Sequence, residues 1–298
     1  MWAFHTSRRL KNVQISENEG VIVLGATPIG NLSDASPRLR EMMATADIIA
    51  AEDTRNFHHL AHALGIKITA KVMSLHEHNE AHKLSEVIDL AAQGATILVV
   101  SDAGMPAVSD PGYPLVAAAL SAGIRVTAVP GPSAVLTALS LSGLPTGRFT
   151  FEGFLPRKAG ERRKRLESLL AEERTMVFFE APHRLGDFLE AAVEAFGENR
   201  QAAVARELTK KFEEVRRDSL GALKQWSEDG VRGEIVVVIH GAEEAEPATV
   251  DELLPKVAAL VEQGTRMKQA VAEVAEKFGV KKRDLYEAVL AERHEADK

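Results

Sequence analysis

The chain has 298 residues, 45% of them hydrophobic and 27% charged, with a formal net charge of −7 at pH 7 and no cysteine. That length exceeds what one hydrophobic core usually organises, so two or three structural units are expected. Lack of cysteine excludes a disulfide scaffold, thiolate-held zinc or iron–sulfur clusters and a thiol nucleophile. No apolar run approaches the ~18–20 residues of a membrane helix. Residues 1–12 are basic without an apolar core, so no secretory signal is expected and the chain reads as cytoplasmic. The acid excess is uneven: −2 over residues 1–150, −1 over 151–241 and −4 over 242–298. An acidic total argues against a nucleic-acid partner unless local basic clusters overturn it.

After an N-terminal extension (1–20), the first half alternates strand-like runs rich in Val, Ile and Thr (21–24, 48–51, 67–74, 96–101 and 125–129) with helical patterns. One helix begins at Pro37, a residue suited to the first helical position. Another runs over 79–93 and stops at Gly94. Such alternation predicts a mostly parallel sheet covered by helices. Beyond the Gly143-Leu144-Pro145 breaker the order is helix 160–170, strand 175–180, helix 183–196, strands 201–206 and 212–216, helix 219–228 and strand 234–240. Adjacent strands there predict a mixed sheet. The expected organisation is a two-lobed α/β protein with subdomains at 21–134 and 135–241. A linker (242–249) then leads to a small helical, helix-turn-helix-like module (250–298), with helices over 250–263, 267–278 and 283–292.

In a parallel sheet the ligand sits beyond the carboxyl ends of the strands. The turns at those ends are dense in Gly, Pro and Asp: Gly25–Leu32, Glu52-Asp53-Thr54-Arg55, Ser101–Pro106 with Ser109-Asp110-Pro111-Gly112, and Pro130–Ala134. One such turn is only a turn; four on one sheet edge predict a ligand cleft that backbone lines closely. The first turn lacks both the G-x-G-x-x-G spacing and Gly-Lys-Ser/Thr, and Pro28 removes a backbone donor that a pyrophosphate would use. A nucleoside ligand without phosphates fits better.

The segments Ala26-Thr-Pro-Ile-Gly-Asn-Leu32, Ala51-Glu-Asp-Thr-Arg55, His76-Glu-His-Asn-Glu80, Val100-Ser-Asp-Ala-Gly104, Val108-Ser-Asp-Pro-Gly112, Pro130-Gly-Pro-Ser-Ala134, Gly153-Phe-Leu-Pro156, Phe179-Glu-Ala-Pro-His-Arg184 and Arg206-Glu-Leu-Thr-Lys210 occur in this order. The series closely resembles the tetrapyrrole methylase (class III methyltransferase) superfamily over residues 21–241. Within it, the match is to the ribose 2′-O-methyltransferases of small-subunit ribosomal RNA. The resemblance implies S-adenosylmethionine as cofactor, bound between two α/β subdomains of a homodimeric enzyme. It implies a cofactor site of Pro28, Ile29, Gly30, Asp102, Gly104, Met105, Ser133 and Ala134 from the first subdomain, with Phe179, Ala181, Leu208 and Ile235 from the second. Met105 stands where the family usually has Thr, so no hydroxyl acts there. The acceptor it implies is a cytidine ribose in small-subunit ribosomal RNA or the assembled subunit.

A ribose hydroxyl is a weak nucleophile, so methyl transfer to it needs orientation and a base or a nearby cation. Glu52, Asp53, Glu180 and Glu207 are candidate bases, with Arg55, Arg184 and Lys210 as electrostatic partners; the sequence does not choose among them. Six of the ten histidines are His58, His59, His62, His76, His78 and His82. Two pairs have helical i,i+4 spacing, but the Glu of H-E-x-x-H is absent from both, so they read as surface and loop residues and no metal is expected. Arg157, Lys158, Arg162, Arg163, Lys164 and Arg165 form a basic cluster for RNA phosphates despite the acidic total. Arg206, Lys210, Lys211, Arg216 and Arg217 form a second, mixed group, and Lys281–Arg283 begin a tail helix. A tetrapyrrole C-methyltransferase, which the basic cluster does not favour, and a non-catalytic RNA-binding module stand as the alternatives.

Overall fold

The computed structural model describes residues 20–76, 80–109, 112–243 and 249–296. The expected N-terminal extension except Gly20, most of the linker, His78 and the Asp110-Pro111 step lie outside them. The chain divides into two compact units after Gly241.

The first half of the larger unit runs β1 (Val21–Gly25), α1 (Pro37–Thr45), β2 (Ile48–Ala51), α2 (Thr54–Ala63), β3 (Lys71–Ser74), α3 (Glu80–Ala92), β4 (Thr96–Val100), α4 (Tyr113–Ser121) and β5 (Arg125–Val129). The five strands form one parallel sheet in the order β3-β2-β4-β1-β5. Period-two alternation buries both faces. Val21, Val23, Ile49, Ala51, Leu98 and Val100 pack on Leu39 and Met43 of α1 and Phe57 and Ala61 of α2. Ile22, Ile48, Ala50, Ile97 and Val99 face Val87 and Ala91 of α3 and Leu115 and Ala119 of α4. Ser36 caps α1, its hydroxyl accepting from the Leu39 N–H at 3.1 Å, with Pro37 in the first turn as expected. The expected strand over 67–74 is shorter, because its partner β2 begins only at Ile48 and pairs first with Lys71. Ile66 and Ile68 still pack on the core beside it.

The second half follows as α5 (Ala134–Leu141), β6 (Phe149–Phe154), α6 (Ala159–Glu167), β7 (Thr175–Glu180), α7 (Leu185–Phe196), β8 (Gln201–Arg206), β9 (Glu214–Ser219), α8 (Leu220–Ser227) and β10 (Ile235–Ile239). Its sheet has the order β6-β7-β10-β8-β9 and is mixed, with β6 parallel to β7 and the other pairs antiparallel. One face, with Met176, Phe178, Val204 and Val237, packs on α6, α7 and α8. The other, with Val177, Ala203, Ala205, Val236 and Val238, packs on Val135, Ala138 and Leu139 of α5 and on Ile29 from the first half. Two expectations shift here. Strand β6 was not foreseen. The strand expected over 212–216 is β9, displaced because residues 207–213 are used in the turn that leaves β8.

The smaller unit contains α9 (Val250–Glu262), α10 (Met267–Phe278) and α11 (Lys282–Ala296), packed around Leu253, Val257, Val271, Val274, Leu285 and Val289. Thr249 and Glu252 form a reciprocal capping box that starts α9, and Gly279 at φ 68° ends α10 in the left-handed conformation. No helix among the described residues is long and apolar enough to cross a membrane.

Candidate active site

Strand order places the connection out of β1 on one side of the sheet and that out of β4 on the other. Their neighbouring carboxyl ends are therefore a switch point, where the two outgoing loops separate and leave a crevice. A short antiparallel bridge spans it: the Thr27 N–H donates to the Gly104 carbonyl at 2.9 Å, and the Gly104 N–H returns to the Thr27 carbonyl at 3.1 Å. Gly104 stands at φ 84°, a conformation that side chains rarely adopt.

A cavity of about 350 Å³ opens between this edge and the second sheet, within the size range of small-molecule sites. Ile29, Gly104, Met105, Ser133 and Ala134 line it from the first half, and Phe179, Ala181, Leu208 and Ile235 from the second. The structure thus gathers nine of the twelve residues singled out for a cofactor around one cleft. Pro28, Gly30 and Asp102 lie outside its lining. Gly30 sits where the first turn meets the 207–210 loop: a Cβ there would overlap the Lys210 side chain and stand 3.0 Å from the Leu208 carbonyl oxygen. Asp102 faces a smaller recess with Glu52, Asp53 and Asn56. It accepts from Asn56 Nδ2 at 2.8 Å and from the Asp53 N–H at 3.3 Å.

The candidate acid–base residues fall into three groups. Glu52 Oε2 accepts the Asp102 N–H at 3.1 Å; burial raises this carboxyl above its ordinary pKa, against the lowering effect of that hydrogen bond. Asp53 caps α2 and pairs with Arg55 at 2.7 Å, and the Arg55 side chain and N–H hold it far below the usual carboxylate range. Glu180 lines the cleft at the end of β7. It is 3% exposed, its Oε1 accepts the Ala181 N–H at 2.8 Å and lies 3.3 Å from Arg184 Nε, and its Oε2 has no hydrogen-bond partner. Burial raises it, with the Ala181 N–H, Arg184 and Arg162 opposing. Arg184 also donates to the Leu155 carbonyl at 2.7 Å.

Glu207, at φ 49°, accepts the Glu234 N–H and Lys210 Nζ, each at 3.0 Å, and both lower its pKa. Lys210 reaches Glu234 at 3.1 Å as well. Burial would lower that ammonium, but the two carboxylates outweigh it and raise it. Only Glu180 among the four candidate bases lines the cleft.

The basic cluster is divided. Arg162 is only 7% exposed and ion-pairs with Asp187 at 3.3 Å, because the first turns of α6 pack that side of the helix against α7. It is therefore removed from the set of surface phosphate contacts. Arg165 is bound to Glu152 at 2.5 Å. Arg157, Lys158, Arg163 and Lys164 are exposed, as is Arg165, with Lys158 paired to Glu161 at 3.0 Å and Arg163 to Glu167 at 3.8 Å along the helix surface. His58, His59 and His62 lie along α2, and no group of three or more His, Asp or Glu among the described residues is arranged to hold a metal ion.

Sequence reasoning passed over Ala103, Val108, Val135, Phe154, Pro182, Glu234 and Val236 as lining residues. Phe154 was within reach, since it stands inside the Gly153–Pro156 segment. Glu234 carried no signal of its own; its place follows from the loop before β10 meeting the one after β8.

The model of the Tetrapyrrole (Corrin/Porphyrin) Methylases matches residues 21–224, and that of the RsmI C-terminal HTH domain matches 244–293. A Mycobacterium tuberculosis (strain ATCC 25618 / H37Rv) protein named Ribosomal RNA small subunit methyltransferase I is 53% identical over 279 residues, covering 93% of this chain and 97% of that protein. An Escherichia coli O157:H7 protein of the same name is 41% identical over 288 residues, covering 95% and 100%. Among solved structures, the uroporphyrin-III C-methyltransferase of Thermus thermophilus complexed with S-adenosylhomocysteine aligns with a TM-score of 0.53 at 15% identity, over 74% of this chain and 97% of that one. At that identity the likeness is one of fold. With its two sheets, the cleft between them and its identity to these relatives over nearly all its length, this chain belongs to the tetrapyrrole methylases, in the ribosomal RNA small subunit methyltransferase I family.

Proposed function

We propose that this protein transfers a methyl group from S-adenosylmethionine to the ribose 2′-hydroxyl of a cytidine in small-subunit ribosomal RNA. The observation that carries the reading is the 53% identity over 93% of the chain to a protein named for methylation of that RNA. The cytidine and the 2′ position rest on the family resemblance. The cleft suits the cofactor. Ile29, Phe179, Leu208 and Ile235 offer apolar surface for a purine, and the turns at Gly104 and Ser133-Ala134 offer close backbone.

When bound, S-adenosylmethionine supplies an electrophilic methyl on a sulfonium. The chain's own contribution is orientation, exclusion of water and management of the hydroxyl proton. Asp53 and Glu207 are held ionised by cations and backbone N–H groups, which makes them weak bases. Glu52 and Glu180 are raised by burial, and Glu180 is the one beside the cleft. Exposed Arg157, Lys158, Arg163 and Lys164 would take RNA phosphates, and Lys282 and Arg283 at the start of α11 would add a second point of attachment.

The test uses labelled S-adenosylmethionine with unmodified small ribosomal subunits, naked ribosomal RNA or a tetrapyrrole precursor. Label on a cytidine ribose of the small-subunit RNA is expected. Transfer to the tetrapyrrole alone, or to a base instead of a ribose, would overturn the assignment.

A further inference from the structure

Strand β6 contains one residue too many. It pairs with β7 in the register Phe149–Thr175, Thr150–Met176 and Phe151–Val177, then slips, so that Gly153 stands opposite Phe178 and Phe154 opposite Phe179. Glu152 is the extra residue of this β-bulge, and Gly153 takes the left-handed φ of 64° that the irregularity needs. A slip of one residue exchanges the two faces of a strand. In β7, Met176 and Phe178 belong to the core under α6 and α7, whereas Val177 and Phe179 belong to the cleft side. Without the bulge Phe154 would stand opposite Glu180 and share the face of Phe178. With it, Phe154 joins Phe151 and Phe179 on the cleft face. The bulge is held in place by Arg165 of α6, which grips Glu152 at 2.5 Å.

The three rings meet edge to face: Phe151 to Phe179 with centroids 4.9 Å apart, and Phe154 to Phe179 at 5.6 Å and 61°. Phe179 is half-buried in the cleft wall, but Phe154 is 56% exposed at its rim. An aromatic ring brought by a bulge to the mouth of a cleft and left in water presents stacking surface to a second ligand, outside the apolar interior. The chain continues through buried Leu155 and half-buried Pro156 to Arg157 and Lys158, both exposed. A ring followed three and four residues on by two exposed cations, of which Lys158 holds only a surface pair with Glu161, suits single-stranded nucleic acid, the base stacked and its phosphates neutralised.

The geometry points to Phe154 as the platform on which an unpaired base of the RNA stacks at the mouth of the cleft, with Arg157 and Lys158 on the adjoining phosphates. This rests on the reading of the protein as an RNA methyltransferase and assigns the base-binding subsite of that same cleft. Because every base has a π-face, the platform contributes affinity and placement and leaves base identity to other groups.

Phe154→Ala is expected to raise KM for unmodified small subunits on the order of ten- to a hundredfold. Its affinity for S-adenosylhomocysteine, measured by calorimetry, should fall far less than its affinity for RNA, because Phe154 stands at the rim and is 56% exposed. Phe154→Trp should restore KM, and Phe154→Leu, apolar but without a π-face, should not. A single-stranded RNA oligonucleotide carrying 2-aminopurine gives a readout independent of catalysis: wild type and Phe154→Trp should quench its fluorescence on binding, and Phe154→Ala should not. Equal quenching by Phe154→Ala, rescue by Leu as complete as by Trp, or a loss of cofactor affinity in step with RNA affinity would each overturn the inference. Should wild type transfer no methyl to any RNA, the proposed activity fails, and the quenching comparison still decides whether the ring stacks a base.

Discussion

The two sheets that form the cleft are built on different plans. The first is parallel and buried on both faces, so its ligand edge consists of loops at strand ends, and the polar groups there are tied to one another: Asp102 to Asn56 and the Asp53 N–H, Asp53 to Arg55. The second is mixed and faces the cleft with part of one broad side, which contributes Phe154 and Phe179, while Leu208, Ile235 and Glu180 line the cleft from a loop and from strand ends, the Glu180 carboxylate being fully buried beside Arg184 with one oxygen unsatisfied. Loops with satisfied polar groups present backbone in a fixed shape. A strand end with an unsatisfied buried carboxylate presents a demand for a partner. The first wall therefore sets the form of the site, and the second carries most of its chemistry.

The largest expected effect comes from removing that demand. Glu180→Ala leaves the half-buried Arg184 guanidinium with only the Leu155 and Pro156 carbonyls. The variant should lose about 3 kcal/mol in urea denaturation; a loss within ordinary surface-residue scatter would erase the contrast between the walls.

Next is the point where the walls touch. In Gly30→Ala the new Cβ would overlap the Lys210 side chain and lie 2.9 Å from Thr209 Oγ1 and 3.0 Å from the Leu208 carbonyl, of which the last is backbone and gives little. A destabilisation of about 2 kcal/mol, together with weaker calorimetric binding of S-adenosylhomocysteine, is expected. Unchanged binding would mean that this junction does not shape the cleft.

Smallest is the ion pair of the second wall. Glu207 has its folded pKa below the ordinary 4.5, so its contribution is complete above that value and is lost as pH falls through the folded pKa. Glu207→Gln should cost about 1 kcal/mol at pH 7. The gap to wild type should shrink as unfolding is measured at successively lower pH below 4.5. A gap constant with pH would assign the effect to packing instead of charge.

Much of this was legible along the chain because the signals are local. β1, β2, β5 and β7 are short β-branched or apolar runs bounded by breakers, and α1 and α10 are marked by Pro37 and Gly279. The four Gly/Pro-rich turns pointed to one sheet edge, and nine of the residues chosen from them and from the second half line one cleft. What escaped reading had non-local causes. β6 mixes Phe with Thr, Glu and Gly, so its propensity is weak, and pairing with β7 makes it a strand. β9 was expected two residues too early: it is an exposed edge strand of sequence Glu-Val-Arg-Arg-Asp-Ser, whose charge hides its bounds from hydrophobic patterning and protects the edge. Arg162 and Arg163 are neighbours of like charge in sequence, but one turns toward α7 and the other toward solvent.

The sequence by itself determined the strand–helix alternation, the parallel first sheet and the position of the ligand edge, since hydrophobic period and turn chemistry act between near neighbours. It also carried the motifs that identify the family. Tertiary structure alone decided which cations face water, which carboxylate is left with a free oxygen, and that Phe154 faces the cleft. Those outcomes depend on burial and on the parity of strand pairing, and a single inserted residue such as Glu152 reverses that parity without altering composition or local pattern.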